Sequence, residues 1–258
     1  MSKIENKIIV ITGTSSGIGK YLADYFSKNN TVIGLCRTES ENSIRCDLSN
    51  PDDVENAVNT IKEKYGQVDI LINNAGYGLT GAVETVTDEE IRRIFEVNFF
   101  SALSLIRKIL PLMQSGSKII NISSACALFA LPFKSMYCAS KSALSMLSYS
   151  LKMELAPSNI QVTAICPGDV QTPFTTNRKS NYTTNKRYSD SIKATDEKLA
   201  KRNSKRMSLN YAGKKMAKII EKKRLKPTYI VGNKHKFLFA LSKIFPQSVF
   251  LYFTRKFM

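Results

Sequence analysis

The 258-residue chain has a single histidine, His235, which lies near the C-terminus, so multi-histidine metal sites are excluded and a His-based triad is not expected. Cysteine is sparse and unpatterned. Cys36, Cys46, Cys126, Cys138 and Cys166 make an odd set with no C-x-x-C spacing, which offers neither a disulfide framework nor a metal-ligand signature. No charged n-region followed by an apolar run opens the chain, so reduced thiols and a cytoplasmic setting are expected. No uncharged apolar run reaches the roughly 18 residues of a membrane span. Acids are scarce in one region only: Thr172 to Met258 holds 4 Asp/Glu against 22 Lys/Arg, whereas Met1 to Gln171 holds 17 against 16. The net charge of +17 therefore belongs to the last third and signals an anionic partner.

What is present points to one large α/β domain. At 43% hydrophobic content the chain can bury a sizeable core undivided. Its first 170 residues alternate short β-branched runs with longer helical patterns, as in a parallel sheet covered by helices on both faces. Strands are expected at 7–12, 31–35, 43–46, 68–73, 117–123, 160–166 and 227–232, with helices near 17–29, 51–65, 88–113, 135–156 and 208–224. Asn50 before Pro51, and Thr87 with Glu90 three residues on, mark two of the helix starts. The fold class expected is a doubly wound, Rossmann-type parallel sheet in a single domain. The stretch CRTESEN between the second and third strands is too short for a crossover helix and is expected to be a loop or a single turn.

Two local patterns carry chemistry. In SMYCASKSALSML, Tyr137 precedes Lys141 by about one helical turn, so the two share a face. An ammonium held close to a phenol favours the phenolate and lowers a pKa that is otherwise near ~10. The plain alternative is an exposed helix with an incidental tyrosine and lysine. In ITGTSSGIG, Gly13, Gly17 and Gly19 follow a buried-strand pattern at the mouth of a helix: Gly13 for a tight turn, Gly17 for backbone approach to a pyrophosphate, Gly19 for close helix packing.

Together, Gly-x-x-x-Gly-x-Gly, the NNAG at Asn73 to Gly76, and Tyr-x-x-x-Lys after a NISS strand end resemble the short-chain dehydrogenase/reductase family, over about residues 7–175. The resemblance implies a catalytic set of Asn98, Ser124, Tyr137 and Lys141, with Ser123 as a weaker alternative to Ser124. It also implies a cofactor site drawn from Gly13, Ser15, Ser16, Gly17, Ile18, Gly19, Arg37, Asp47, Leu48, Asn74, Ala75, Gly76, Tyr137, Lys141, Pro167, Gly168, Val170 and Thr172, and no metal. In such a site Tyr137 exchanges a proton with a carbonyl oxygen, Ser124 donates a second hydrogen bond, Lys141 keeps the phenol acidic, and Asn98 joins the lysine through water. A rival reading, a non-catalytic nucleotide sensor or membrane adaptor on the same fold, has no physical need for all four groups.

Cofactor choice is read after the second strand. Cys36 stands where an acid would bind a ribose 2′-hydroxyl and Arg37 follows it, so NADP(H) is expected in preference to NAD(H). Glu39 and Glu41 would favour NAD(H) if the loop folded back. The catalytic domain is expected over 1–233, with a basic, partly helical substrate lid at about 172–207, and a basic apolar tail over 234–258. A lipophilic ketone or secondary alcohol is the expected substrate: a steroid, a keto lipid or a 3-oxoacyl chain. Lys243 and Pro246 interrupt the tail, whose bulky apolar residues among Lys and Arg suit a helix lying on an anionic membrane surface. Docking onto the body of the protein, or burial between subunits of a homodimer or tetramer, are the alternatives. Nucleic acid is not expected, since no binding motif accompanies the charge.

Overall fold

The computed structural model describes residues 4–38, 42–174, 179–182, 185–201 and 206–257. Its strands are β1 (Ile8–Thr12), β2 (Thr31–Cys36), β3 (Ser43–Arg45), β4 (Ile70–Asn73), β5 (Leu79–Thr80), β6 (Lys118–Ile122), β7 (Gln161–Pro167), β8 (Lys179–Ser180) and β9 (Thr228–Val231). Seven of them form one parallel sheet in the order β3-β2-β1-β4-β6-β7-β9, while β5 and β8 make a separate two-stranded pair. The helices are α1 (Gly17–Phe26), α2 (Pro51–Tyr65), α3 (Asp88–Phe95), α4 (Ser101–Ile109), α5 (Ser135–Glu154), α6 (Ser189–Lys201), α7 (Leu209–Ile220), α8 (Asn233–Ile244) and α9 (Gln247–Phe257).

Alternate residues of each central strand feed opposite faces of the sheet. Val10, Leu71, Ile119 and Val162 pack with Val58 and Ile61 of α2, Leu105 and Ile109 of α4 and Leu151 of α5. Ile9, Ile11, Ile72, Ile120 and Ile165 pack with Leu22 and Phe26 of α1 and Met216 and Ile220 of α7. Burial on both sides explains why these strands read as unbroken apolar runs. The strand order reverses between β1 and β4, which leaves a crevice at the carboxyl ends of the strands.

Asn50 caps α2, accepting from the Asp52 amide at 3.0 Å. Thr87 and Glu90 close a reciprocal capping box on α3. Between β2 and β3 the described residues are bends and turns, and Glu39 and Glu41 lie outside the described residues.

Three expectations need correction. The helix expected over 88–113 is not continuous: a π turn at Glu96–Phe100 separates α3 from α4, and a 3₁₀ turn containing Pro111 ends the run at Leu112. The tertiary ties of Asn98 hold the wide turn, as described below. The helix expected over 208–224 closes at Ile220, where the buried Lys118 donates from Nζ to the carbonyls of Ile220 at 2.8 Å and Lys222 at 2.9 Å. The tail is two helices, α8 and α9, because Phe245 turns extended ahead of Pro246. In the lid span, α6 is helical and β8 pairs with β5, while 175–178, 183–184 and 202–205 lie outside the described residues.

Candidate active site

A cavity of about 440 Å³ occupies the crevice. Of the site residues picked out in the sequence, all but Gly19 and Asn98 line it. At one end, Gly13 turns with φ of 71° and Gly17 with φ of 57°, a left-handed region in which glycine is unstrained. Gly19 sits behind them: a Cβ there would lie 2.1 Å from the Gly13 carbonyl oxygen, so only glycine lets α1 start this close to β1. Ser16 caps α1 without a side-chain hydrogen bond, and Ser16, Gly17 and Ile18 present the positive end of the helix to the cavity. Asn74 braces the same turn, donating from Nδ2 to the Thr12 carbonyl at 3.0 Å, while the Thr12 hydroxyl accepts from the amides of Asn74 and Ala75 at 2.9 Å.

Toward β3, Cys36 lies on the wall and its thiol donates to the Thr38 carbonyl at 2.9 Å. Asp47 accepts from the Ser49 hydroxyl at 2.7 Å and amide at 3.0 Å. Those bonds hold its carboxyl below the usual range, and the Arg37 and Arg93 guanidiniums add to the effect. Arg93, from α3, and Lys179, from β8, line the cavity as well. Sequence reading missed both. Arg93 faces the cavity only because of how α3 is set, and Lys179 reaches it only through the β5–β8 pair.

At the other end α5 buries Tyr137 and Lys141 on one face. Lys141 donates from Nζ to the Ile122 carbonyl at 3.0 Å, and burial pulls its pKa down to about 8. Asn98 sits in the π turn just behind the wall. Its amide donates to the Tyr77 carbonyl at 3.0 Å and to the Ser140 hydroxyl at 3.1 Å, and its oxygen accepts from the Tyr77 amide at 3.0 Å. A Cβ on Gly76 would stand 2.9 Å from Asn98 Oδ1 and 3.1 Å from Lys141 Nζ, so the two polar groups flank that glycine. Ser123 is engaged in the interior, donating to the Lys141 carbonyl at 2.9 Å and accepting from Ser145 at 2.8 Å. Both serines line the cavity, but Ser124 caps a 3₁₀ turn, accepting from the Cys126 amide at 3.1 Å.

A smaller chamber of about 90 Å³ opens on the far side of Ser124 and Tyr137, walled by Leu79, Phe129, Leu131 and Phe174 together with Lys134, Asp169, Arg206 and His235. The Phe174 and Tyr137 rings lie 5.8 Å apart. The tail supplies part of this wall. His235 stacks on Phe129 at 6.5 Å and Phe250 meets the same ring at 6.1 Å. A Cβ on Gly168 would lie 2.0 Å from His235 Nδ1, so the Pro167–Gly168 turn accepts the histidine only because it carries glycine. Burial lowers the His235 pKa against the pull of Asp169, whose carboxylate stands 3.9 Å away. Nothing in the sequence marked His235 or Phe129 as wall residues, because their meeting depends on where the tail folds back.

The donor set suits an anionic dinucleotide: a helix N-terminus behind a glycine turn, three cationic side chains in Arg37, Arg93 and Lys179, and a buried ammonium at Lys141. Among the described residues no cluster of His, Cys, Asp and Glu could hold a metal ion.

The family model described as short chain dehydrogenase matches residues 7–183. The chain is 35% identical over 265 aligned residues to the 3-ketodihydrosphingosine reductase of Bacteroides thetaiotaomicron, covering 98% of each. It is 33% identical over 193 residues to the 3beta-hydroxysteroid dehydrogenase of Mediterraneibacter gnavus, covering 68% of this chain and 70% of that one. Among solved structures, a short-chain dehydrogenase from Streptomyces avermitilis superposes with a TM-score of 0.81 at 25% identity, over 98% of this chain and 96% of the other. A Burkholderia phymatum short chain dehydrogenase/reductase, solved in complex with NAD, shares the fold with a TM-score of 0.82 at 21% identity, over 95% of each chain. By motif, fold and full-length similarity, the chain belongs to the short-chain dehydrogenase/reductase family.

Proposed function

We propose that this protein is an NADP(H)-dependent reductase of a lipophilic ketone, or the dehydrogenase of the matching secondary alcohol. The observation that carries the reading is that Ser124 and Tyr137 line both cavities, with the cationic crevice on one side and a smaller chamber of mixed apolar and charged lining on the other. A carbonyl oxygen held between them faces two hydroxyls, and its carbon lies toward the crevice.

The nicotinamide supplies the hydride when bound. Ser124 and Tyr137 hold the carbonyl oxygen, and Tyr137 gives it a proton as negative charge grows there. Lys141, one helical turn along the buried face of α5, places positive charge beside the phenol and favours its ionised form. Asn98 is fixed by three bonds and shares with Lys141 the space beside Gly76, which suits it to orienting the lysine through a water. In the oxidative direction the Tyr137 phenolate takes up the proton.

Preference for NADP(H) is supported by Arg37 on the cavity wall, by a cysteine where an acid would read the 2′-hydroxyl, and by Arg93 close enough to Asp47 to act on its carboxyl. A lipophilic substrate is supported by Leu79, Phe129, Leu131 and Phe174 in the smaller chamber, and by relatives named for 3-ketodihydrosphingosine and a 3beta-hydroxysteroid. The outer face of α8 and α9 exposes Phe237 (64%), Ile244 (75%) and Tyr252 (62%) near Lys236, Lys243 and Arg255. We place that face on an anionic lipid surface, with the rest of a cytoplasmic protein behind it. The test is a panel of steroid, long-chain keto and 3-oxoacyl ketones, assayed by consumption of NADPH and of NADH. Turnover of at least one lipophilic ketone with NADPH favoured is expected. Turnover of none with either cofactor would sink the reading.

A further inference from the structure

The carboxyl ends of β7 and β9 lie side by side, and each is followed within a few residues by a polar side chain that lines the smaller chamber: Asp169 after β7 and His235 after β9. The backbone beneath them is fixed. The Gly168 amide donates to the Val231 carbonyl at 2.9 Å, and the Asp169 carbonyl accepts from the Met207 amide at 3.0 Å. Gly232 precedes α8 with φ of 116°, which glycine adopts without strain, and sets His235 against Gly168. The stack on Phe129 holds the ring from its other side.

Asp169 Oδ2 stands 3.9 Å from His235 Nε2. That separation is too long for a hydrogen bond, so the two do not satisfy each other. An oxygen about 2.8 Å from both would subtend roughly 90° between them, close to the angle between a hydroxyl's own proton and its lone pairs. We propose that Asp169 and His235 form a hydroxyl-reading subsite, and that the preferred substrate is a lipophilic ketone carrying a hydroxyl a few bonds from its carbonyl. The substrate assignment rests on the function proposed above, because Ser124 and Tyr137 line the same chamber and fix where the carbonyl sits.

Donors and acceptors select the group. Burial holds the His235 ring below its ordinary pKa, so it is neutral at pH 7, and with its Nε2–H toward Asp169 it offers one donor. The Asp169 carboxylate only accepts. A ligand atom between them must therefore accept once and donate once, and a hydroxyl does both. An ammonium only donates, and it would meet Lys134 and Arg206 on the same chamber wall. A carboxylate only accepts, and it would set a second negative charge against Asp169; those two cations make it the rival that the test must separate. A plain alkyl group would strip water from both residues and return no bond. At about 90 Å³ the chamber has room for a few heavy atoms rather than a lipid chain, so it takes the part of the substrate next to the carbonyl.

The test uses the full-length protein and four long-chain ketones that differ only in the group beyond the carbonyl: ethyl, hydroxyethyl, aminoethyl or carboxymethyl. Calorimetry with NADP⁺ present reads Kd, and NADPH consumption reads kcat/KM. The hydroxyethyl ketone should bind about 10- to 100-fold more tightly than the ethyl one, the scale of a hydrogen bond to a charged group, and be preferred by a similar factor in kcat/KM. His235→Phe keeps a ring for Phe129 and removes the donor, while Asp169→Ala removes the acceptor. Each should erase most of that preference, and His235→Gln, whose amide can still donate, should keep part of it. Should His235→Phe fold poorly, Asp169→Ala carries the test, since that side chain is 54% exposed. Equal binding of the ethyl and hydroxyethyl ketones, tightest binding of the carboxymethyl or aminoethyl one, or a preference that survives either substitution overturns the subsite. A hydroxyl preference in Kd without turnover of any ketone counts against the proposed function and leaves the subsite standing. Turnover without the preference does the reverse.

Discussion

The body of the chain up to Gln171 and the stretch after it solve different problems. The body is near neutrality, with 16 Lys/Arg against 17 Asp/Glu, and buries its strands on both faces. The later stretch carries 22 against 4. It gives α7 and β9 to the core and leaves much of α8 and α9 exposed. The two regions divide the site unequally. Most of the larger cavity is built by the body, with Thr172, Phe174 and Lys179 from the later stretch, whereas the smaller chamber takes Phe174, Arg206 and His235 from it. The lesson is a separation of roles: the nearly neutral body builds most of the crevice, and the basic stretch closes part of its far side.

That division can be attacked from either side. The largest effect belongs to the body: Tyr137→Phe should lower kcat by about 10²–10⁴-fold while cofactor binding, followed by titration, stays within a few-fold. A variant retaining a tenth of wild-type turnover would break the assignment. Next, Arg37→Ala should erase most of an NADPH-over-NADH preference of about 10- to 100-fold in Kd, the scale of a charged hydrogen-bonded contact. Equal wild-type affinities would remove the reason for that prediction.

The later stretch should yield a smaller effect of another kind. Deleting residues 234–258 should weaken co-sedimentation with anionic vesicles by tenfold or more, about what a few basic residues contribute. Added salt should do the same to the intact protein, and cofactor affinity should survive the deletion. Unfolding of the truncated chain, with no vesicle binding in the parent, would make the tail a purely structural part of the body.

An effect of a different kind is a pH dependence. Lys141 has a pKa of about 8 when folded, against roughly 10.4 in an unfolded chain. Between those values the unfolded state binds more protons, so stability should rise with pH through that window. The rise should be missing in Lys141→Met when melting temperatures of the two proteins are compared across it.

Much of this was legible in the sequence because it was locally encoded. Strands buried on both faces leave apolar runs, caps leave Asn50 and Thr87, and the glycine turn leaves its spacing. Apart from Gly19 and Asn98, the motif residues from Gly13 to Thr172 fall around one cavity, because the topology gathers the strand ends and helix starts that carry them. What stayed hidden depends on contacts distant in sequence. The pairing of Leu79–Thr80 with Lys179–Ser180 is too short to show a period, and with it went Lys179. The bracing role of Asn74 becomes apparent only once β1 and β4 lie side by side. His235 reads as one more tail residue until the tail folds back over Gly168.

The wide turn at Glu96–Phe100 also sets a phase. An α-helix advances about 100° per residue, and a π turn accommodates one residue more than the helical repeat allows. Arg93 and Val97 thus meet the cavity while Leu105 and Ile109 still meet the sheet. Removing a single residue between 96 and 100 would let α3 and α4 merge into one regular helix, perfectly bonded along its backbone. In doing so it would rotate Arg93 away from the crevice, so the irregular stretch works as the register mark between the cofactor wall and the core.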